Sequence, residues 1–146
     1  MSGEMTFVSV TRLHLRSKRF WLSFVIYALR GGAQARRSPG FRGGALGHDA
    51  QGGQWTITAW ESEAAMRDFR NAGVHAVAMR KLLEWCDEAS FASYTTDEGL
   101  PTADTAYQRL AAGRTSKVNH PSAAHTARRT VSNGAPRFVL KLRPPR

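Results

Sequence analysis

The chain has 146 residues, of which 42% are hydrophobic and 22% charged, and its formal net charge is +10. This length fits about one domain, and the apolar content excludes a chain that is disordered throughout. The charge is +7 over residues 1–48, −5 over 49–112 and +8 over 113–146, so the sequence does not predict a uniformly basic nucleic-acid-binding domain.

Cysteine content and hydropathy predict the compartment. The single cysteine, Cys86, excludes an intramolecular disulfide and a cysteine-based zinc site, which favours a reducing environment. The most apolar run, Phe20 to Leu29, has ten residues, whereas a helix needs about 20 to cross a bilayer. The first fifteen residues lack the pattern of a secretory signal. We therefore expect a soluble, cytoplasmic protein.

The first predicted elements are a strand and a long helix. Residues 5–15 alternate loosely between apolar and polar side chains, which is typical of a strand. Ser17 is a favourable N-cap for a helix that continues to Arg37, and Ser38-Pro39-Gly40 ends it. This helix is apolar on most of its circumference, so it is buried on two sides, touches a membrane or lines an apolar pocket.

A hairpin and two helical segments follow. A short glycine-rich strand at 41–48 and a strong strand at 54–60 flank turn-forming residues, which favours a hairpin. Helical patterns cover 63–71 and, after Gly73, 75–88, and a last short strand is predicted at 90–95.

The order β-α-β-β-α-β predicts a ferredoxin-like α+β domain over residues 5–96, with a four-stranded antiparallel sheet and helices on one face. The strand at 54–60 places Trp55, Ile57 and Ala59 on one face and Trp60 with two threonines on the other. A second subunit would cover the face without helices, so a homodimer is expected. Residues 97–113 predict a helical extension. Residues 114–146 form a basic, partly disordered tail, irregular over 114–134, with a short strand near 138–140.

One segment carries a resemblance to a known family. Between Trp55 and Phe69, a strand that ends in a tryptophan runs into a helix opened by Glu61-Ser62-Glu63. This segment resembles the antibiotic-biosynthesis monooxygenase superfamily. Residues 73–75 and 79–88 look closer still to a spheroidene-monooxygenase-like subgroup that includes uncharacterised bacterial proteins. The resemblance covers about residues 5–95 and implies a dimeric α+β barrel. The superfamily includes cofactor-independent, quinone-forming monooxygenases and haem-degrading enzymes.

The resemblance also implies site residues and cofactors. Haem-degrading members use an Asn late in strand 1, a Trp in helix 2 and a His in the following segment. This chain has Thr11, Phe69 and Met79 at those motif positions, so it lacks that triad. His75 lies one helical turn before Met79 and could ligate haem by a different geometry. The similarity to spheroidene monooxygenase implies haem and a carotenoid-like apolar substrate, whereas the quinone-forming members need no cofactor.

His75 is the candidate catalytic residue. On a helix it shares one face with Met79, Leu82 and Cys86. An imidazole among apolar side chains could ligate haem iron or act as a base. The structural alternative is a histidine at a helix N-terminus that is hydrogen-bonded to nearby backbone. No other metal ligand is predicted.

A substrate site is predicted around aromatic side chains. They either line a pocket for a hydrophobic or aromatic ligand or belong to the core. Arg12 and His14 are expected at the surface, and Asp87 and Glu88, as neighbours on a helix, are expected to diverge. The candidate substrate-binding residues are Thr11, Trp55, Trp60, Phe69, Met79 and Trp85.

The function that the sequence favours is thus a monooxygenase-like protein with a pocket between sheet and helices. The alternative is a non-catalytic ligand-binding or interaction module of the same fold. In that case the apolar helix segment 20–29 and its flanking Lys and Arg residues would give peripheral membrane attraction.

Overall fold

The computed structural model describes residues 4–127 and 134–145. A 3-10 turn (Lys18–Phe20) precedes the first helix. The elements are β1 (Thr6–Leu15), α1 (Trp21–Arg37), β2 (Phe41–His48), β3 (Gln54–Trp60), α2 (Glu63–Arg70), α3 (Gly73–Trp85), β4 (Cys86–Thr96), α4 (Ala103–Ala111), β5 (Arg114–Thr115), α5 (Ala123–Thr126) and β6 (Arg137–Leu142).

The strands of the described residues form one antiparallel sheet in the order β5-β4-β1-β3-β2-β6. Its four middle strands have the ferredoxin-like order, so the predicted α+β fold class is confirmed. The sheet is wider than the predicted four strands because two strands of the C-terminal region pair with its edges, β5 with β4 and β6 with β2.

Local signals explain most of the boundaries. The hydroxyls of Ser62 and Thr102 accept hydrogen bonds from backbone N–H groups in the first turns of α2 and α4, at 3.1 and 3.2 Å. The predicted end of the third helix, at Glu88, is wrong. Its last turn is replaced by β4, because Cys86 and Glu88 pair with Leu15 and His14 of β1, and tertiary pairing overrides helix propensity.

Two apolar layers cover the two faces of the sheet. On the helix face, Phe7 and Trp60 pack with Ala35 of α1 and with Met66 and Phe69 of α2. On the opposite face, a second cluster contains Val8, Val10, Trp55, Ile57, Ala59, Ala106 and Leu110. The predicted distribution of β3 side chains between the two faces is confirmed.

The helical extension has a role that the sequence did not suggest. Ala106 and Leu110 of α4 are at most 1% exposed and pack against the face of the sheet that carries no other long helix. The same chain thus covers the surface that was expected to bind a second subunit. The homodimer stays a prediction, but a bare sheet face is no longer the reason for it.

The tail is partly regular. The predicted strand near 138–140 is confirmed as part of β6, and the region predicted to be irregular contains β5 and α5. Residues 128–133 of that region lie outside the described residues. Among the helices that the structure describes, none has the length and hydropathy needed to span a bilayer.

Candidate functional site

The helix face of the sheet carries a patch of hydroxyl groups at its centre. Strand register places Ser9 opposite Thr58 and Thr11 opposite Thr56. We call these four side chains the hydroxyl patch. Thr58 is buried and the other three are half-buried. None of the four side chains makes a hydrogen bond to another described residue. Partly buried hydroxyls normally have partners, so these four groups are available to bond water or a ligand.

Apolar clusters border the hydroxyl patch along β1. On one side, Phe7 pairs with Trp60. On the other side, Leu13 and Leu82 of α3 pack against a cluster that contains the buried Cys86. The helix face therefore has polar groups in its middle and apolar walls, which is the usual composition of a small-molecule site.

An aromatic stack joins the sheet to the start of α3. The ring centroids of Trp60 and Phe69 are 5.0 Å apart, and those of Phe69 and His75 are 4.6 Å apart. Trp60 is fully buried, and its indole N–H is without a hydrogen-bond partner among the described residues. Three of the predicted site residues are therefore brought together, and Thr11 lies in the hydroxyl patch that begins beside Trp60.

Hydrogen bonds fix the position of His75. Its Nδ1 lies 3.1 Å from the carbonyl oxygen of Arg70, so the hydrogen is on Nδ1 and the lone pair is on Nε2. Burial lowers the pKa of His75; the Arg70 carbonyl opposes this effect, and the Arg70 charge adds to it. A neutral imidazole with a free Nε2 is the form that a general base needs, although the contact with Arg70 is also the one expected of a structural histidine.

Gln34 of α1 holds the turn between α2 and α3. Its side-chain amide donates to the carbonyls of Phe69 and Ala72 at 3.2 and 2.8 Å, and its Oε1 accepts from the backbone N–H of His75 at 2.9 Å. Nothing in the sequence around Gln34 indicated this role, because a single amide in a helix gives no pattern.

The other predicted residues lie elsewhere. Trp85 packs against Phe20 and Tyr27, with ring centroids 6.2 and 5.7 Å away. Met79 is 43% exposed on α3. Trp55 is on the opposite face of the sheet. These three residues therefore do not join Trp60, Phe69 and His75 in one site, and their predicted binding role stays a prediction.

A buried ionic network is the polar centre of the opposite face. Arg12 was expected at the surface, but it is 1% exposed. Its guanidinium donates to Asp49 at 2.6 Å and to Glu88 at 2.8 Å, and the Trp55 indole donates to Asp49 at 2.8 Å. Burial would raise the pKa of Asp49, but the hydrogen bonds from Arg12, Trp55 and the Gly53 backbone N–H lower it to about 2. The only hint of this network in the sequence was that Arg12 follows Val8 and Val10 at alternate positions, on the strand face that these two apolar residues occupy.

A bulge in β4 adds a histidine–carboxylate pair to this end of the sheet. The register shift at His14 lets Asp87 and Glu88 lie together beside it, and His14 Nδ1 is 2.7 Å from Asp87. The prediction that the two carboxylates diverge is wrong, because they lie on a bulged strand and not on a helix. Ligand atoms of the three residues lie within 4.8 Å of one another. However, Glu88 already accepts hydrogen bonds from Arg12 and Ser122. We therefore assign this cluster a structural role and not metal binding.

Comparison with solved structures confirms the fold. The chain resembles SnoaB, a cofactor-independent oxygenase from Streptomyces nogalater, with 20% identity and a TM-score of 0.52 over 66% of this chain and 98% of SnoaB. A provisionally assigned antibiotic biosynthesis monooxygenase from Nitrosomonas europaea is 12% identical, with a TM-score of 0.54 over 60% of this chain and 95% of that protein. Rv0793 from Mycobacterium tuberculosis is 15% identical, with a TM-score of 0.55 over 67% of this chain and 98% of Rv0793.

No protein-family model and no curated protein matches the sequence. The similarity to antibiotic-biosynthesis monooxygenases is thus a similarity of fold that covers about two thirds of the chain.

Proposed function

We propose that this chain binds a hydrophobic, aromatic small molecule over the hydroxyl patch and oxidises it with molecular oxygen. The observation that carries the proposal is a set of four hydroxyls that lack partners among the described residues and lie beside the stack of Trp60, Phe69 and His75. Serine and threonine hydroxyls would orient the oxygen atoms of a phenol or quinol, while the apolar borders would hold its rings. The shared fold with monooxygenases supports this class of chemistry by analogy.

In the proposed reaction the substrate supplies the electrons. Nε2 of His75 accepts a proton from an activated CH2 group beside a phenol or ketone, and the resulting carbanion reduces O2. One oxygen atom becomes the new carbonyl oxygen, and the other leaves as water with the two hydrogens of that carbon. The atoms and electrons balance without an added reductant.

The residues fit this version better than one with haem. His75 would be a single protein ligand whose ring is held between Phe69 and the Arg70 carbonyl. We therefore route no step through haem. A titration with hemin tests this choice: a Soret shift that disappears in His75→Gln would favour the haem version.

The proposed reaction is tested with anthrone as a neutral aromatic probe and oxygen uptake as the measurement. We expect uptake with the wild-type chain and a large loss in His75→Gln. The control variant is His48→Gln, because His48 is exposed and is the last residue of β2. Equal activity in both variants would remove His75 from the mechanism.

Binding is tested separately from reaction. Quenching of tryptophan fluorescence by 1-naphthol measures occupancy next to Trp60. Thr11→Val should weaken the binding by severalfold. Thr95→Val should not, because Thr95 of β4 lies on the same face of the sheet but is exposed. Saturable binding without oxygen uptake would favour the non-catalytic ligand-binding module. No saturable quenching would refute the site itself.

A second candidate function, peripheral membrane attachment, is supported by α1. Its outer side exposes four large apolar residues, Trp21, Leu22, Ile26 and Leu29. Residues 5–48 contain no Asp or Glu, and Arg30, Arg36 and Arg37 of α1 are exposed. A second copy on this surface would bring like charges together, whereas an anionic bilayer would attract them.

Sedimentation with vesicles distinguishes these cases. We expect binding to phosphatidylcholine vesicles only when they contain phosphatidylserine, with release at high salt. Leu22→Glu should abolish it and Leu100→Glu, a control at an exposed loop leucine, should not. A chain that stays in the supernatant with both vesicles would contradict this function.

The compartment and the assembly are also proposals. The single, buried Cys86 suits the cytoplasm, and a homodimer is proposed from the superfamily resemblance. Analytical ultracentrifugation of the full chain tests the second proposal.

A further inference from the structure

A cavity of about 580 Å3 lies at the β5 edge of the sheet, on the side that carries α4. The end of α4 forms one wall, β5 and the turn after it form the second, and α5 forms the third. Ser90 of β4 lies at the base. This cavity is separate from the hydroxyl patch, since Ser90 pairs with Arg12, whose side chain belongs to the opposite face.

The cavity presents hydrogen-bond donors that the protein leaves unused. The hydroxyls of four lining residues make no side-chain hydrogen bond within residues 4–127 and 134–145; they are those of Ser90, Thr115, Ser116 and Thr126. Ser90 is 9% exposed. A nearly buried hydroxyl without a protein partner is normally satisfied by water or by a bound group.

The charge of the wall has one sign. Arg114 and Lys117 line the cavity, and no lining residue is acidic. Neither Arg114 nor Lys117 belongs to any ion pair between described residues. Residues 105–146 contain no Asp or Glu, so the surrounding segment does not neutralise these cations.

Hydrogen bonds hold His125 in this wall. It is 8% exposed, Ser122 Oγ accepts from its backbone N–H at 3.1 Å, and its Nε2 lies 2.7 Å from the carbonyl oxygen of Ser116. Nε2 must therefore carry a hydrogen, and Nδ1 is without a partner in the described part of the chain.

From these groups we infer that the cavity binds a small organic anion, a carboxylate or a phosphate ester with a short apolar part. Lys117 and the free hydroxyls recognise the anionic group, and the positive charge of Arg114 on the neighbouring strand adds attraction at longer range. Leu110 and Ala111, on the α4 wall, contact the apolar part.

The experiment uses the full chain and two probes, inorganic phosphate and benzoate, followed by calorimetry and by backbone NMR. We expect saturable binding of benzoate with shifts at Ser90, Gly113 and His125. Binding of phosphate as well would show that the anionic group is sufficient; binding of benzoate alone would show that the apolar wall is needed.

Matched variants make the test specific. Ala111 and Ala112 are adjacent and exposed, but only Ala111 lines the cavity. Ala111→Glu should weaken binding by about tenfold or more, because it places a like charge beside the anion, and Ala112→Glu should change it less than about twofold. Lys117→Gln should weaken it while Lys18→Gln, at another exposed lysine, should not. Absence of saturable binding of either probe, or equal weakening by the two alanine variants, would overturn the inference.

Discussion

Replacement of Asp49 by Asn tests the buried network most directly. The Asp49 carboxylate accepts hydrogen bonds from Arg12, Trp55 and the backbone of Gln51 and Gly53. Breaking a buried ion pair costs about 3–5 kcal/mol because the other charge stays buried without its partner. Glu88 still pairs with Arg12, so we expect a loss near the lower limit, about 3 kcal/mol, and a Tm lower by roughly 10 °C.

The pH dependence gives a second readout of the same network. The pKa of Asp49 falls from 3.8 in the unfolded chain to about 2 in the fold, which corresponds to about 2 kcal/mol of stability. This stability is present above pH 3.8 and is lost as the pH falls toward 2. Asp49→Asn lacks the titrating group, so its stability should fall less over this range.

Urea unfolding followed by tryptophan fluorescence measures both quantities, at pH 7 and at steps down to pH 3. Asp97→Asn, in an exposed loop, is the control and should change the free energy of unfolding by less than about 0.5 kcal/mol. A cost below about 1 kcal/mol for Asp49→Asn at pH 7, or the same acid dependence as wild type, would refute the role of the network.

Three further predictions follow from single buried groups. Burial first, and the Asp87 charge second, raise the pKa of the Cys86 thiol to about 12, so a disulfide reagent at pH 8 should label it only after unfolding; rapid labelling of the native chain would contradict this. Trp55→Phe should cost about 1–3 kcal/mol more than Trp60→Phe in urea unfolding, because only the Trp55 N–H has a partner; equal costs would argue against it. Burial lowers the pKa of His75 below 6.5, so the unfolded chain gains this proton first and stability falls as the pH drops below 6.5; an NMR titration midpoint at or above 6.5 would show otherwise.

The sequence was most informative where structure is local. Alternation placed β1 and β3, and Ser62 marked the start of α2, because strand periodicity and capping depend on neighbouring residues. The boundary between α3 and β4 was missed, since the helical pattern of 75–88 continues across it. Only the pairing of Cys86 and Glu88 with β1, which is a long-range contact, decides where the helix ends.

The candidate site was predicted in part for the same reason. Phe69 and His75 were identified as residues of one helical region, and they do meet with Trp60. Arg12, Gln34 and the hydroxyl patch were missed, because their importance comes from partners that are distant in the chain. Trp55 shares a strand and a residue type with Trp60, yet an odd spacing of five residues puts the two on opposite faces.

The position of α4 has a consequence for how the chain tolerates shortening. In the chain, residues 97–102 connect this helix to β4. The helix shields Val8, Val10 and Ile57, which are at most 1% exposed. Removal of all residues after Thr96 would expose the apolar face of the ferredoxin-like sheet to water. Such a fragment would self-associate or precipitate. The C-terminal extension is therefore a part of the hydrophobic core that the fold needs.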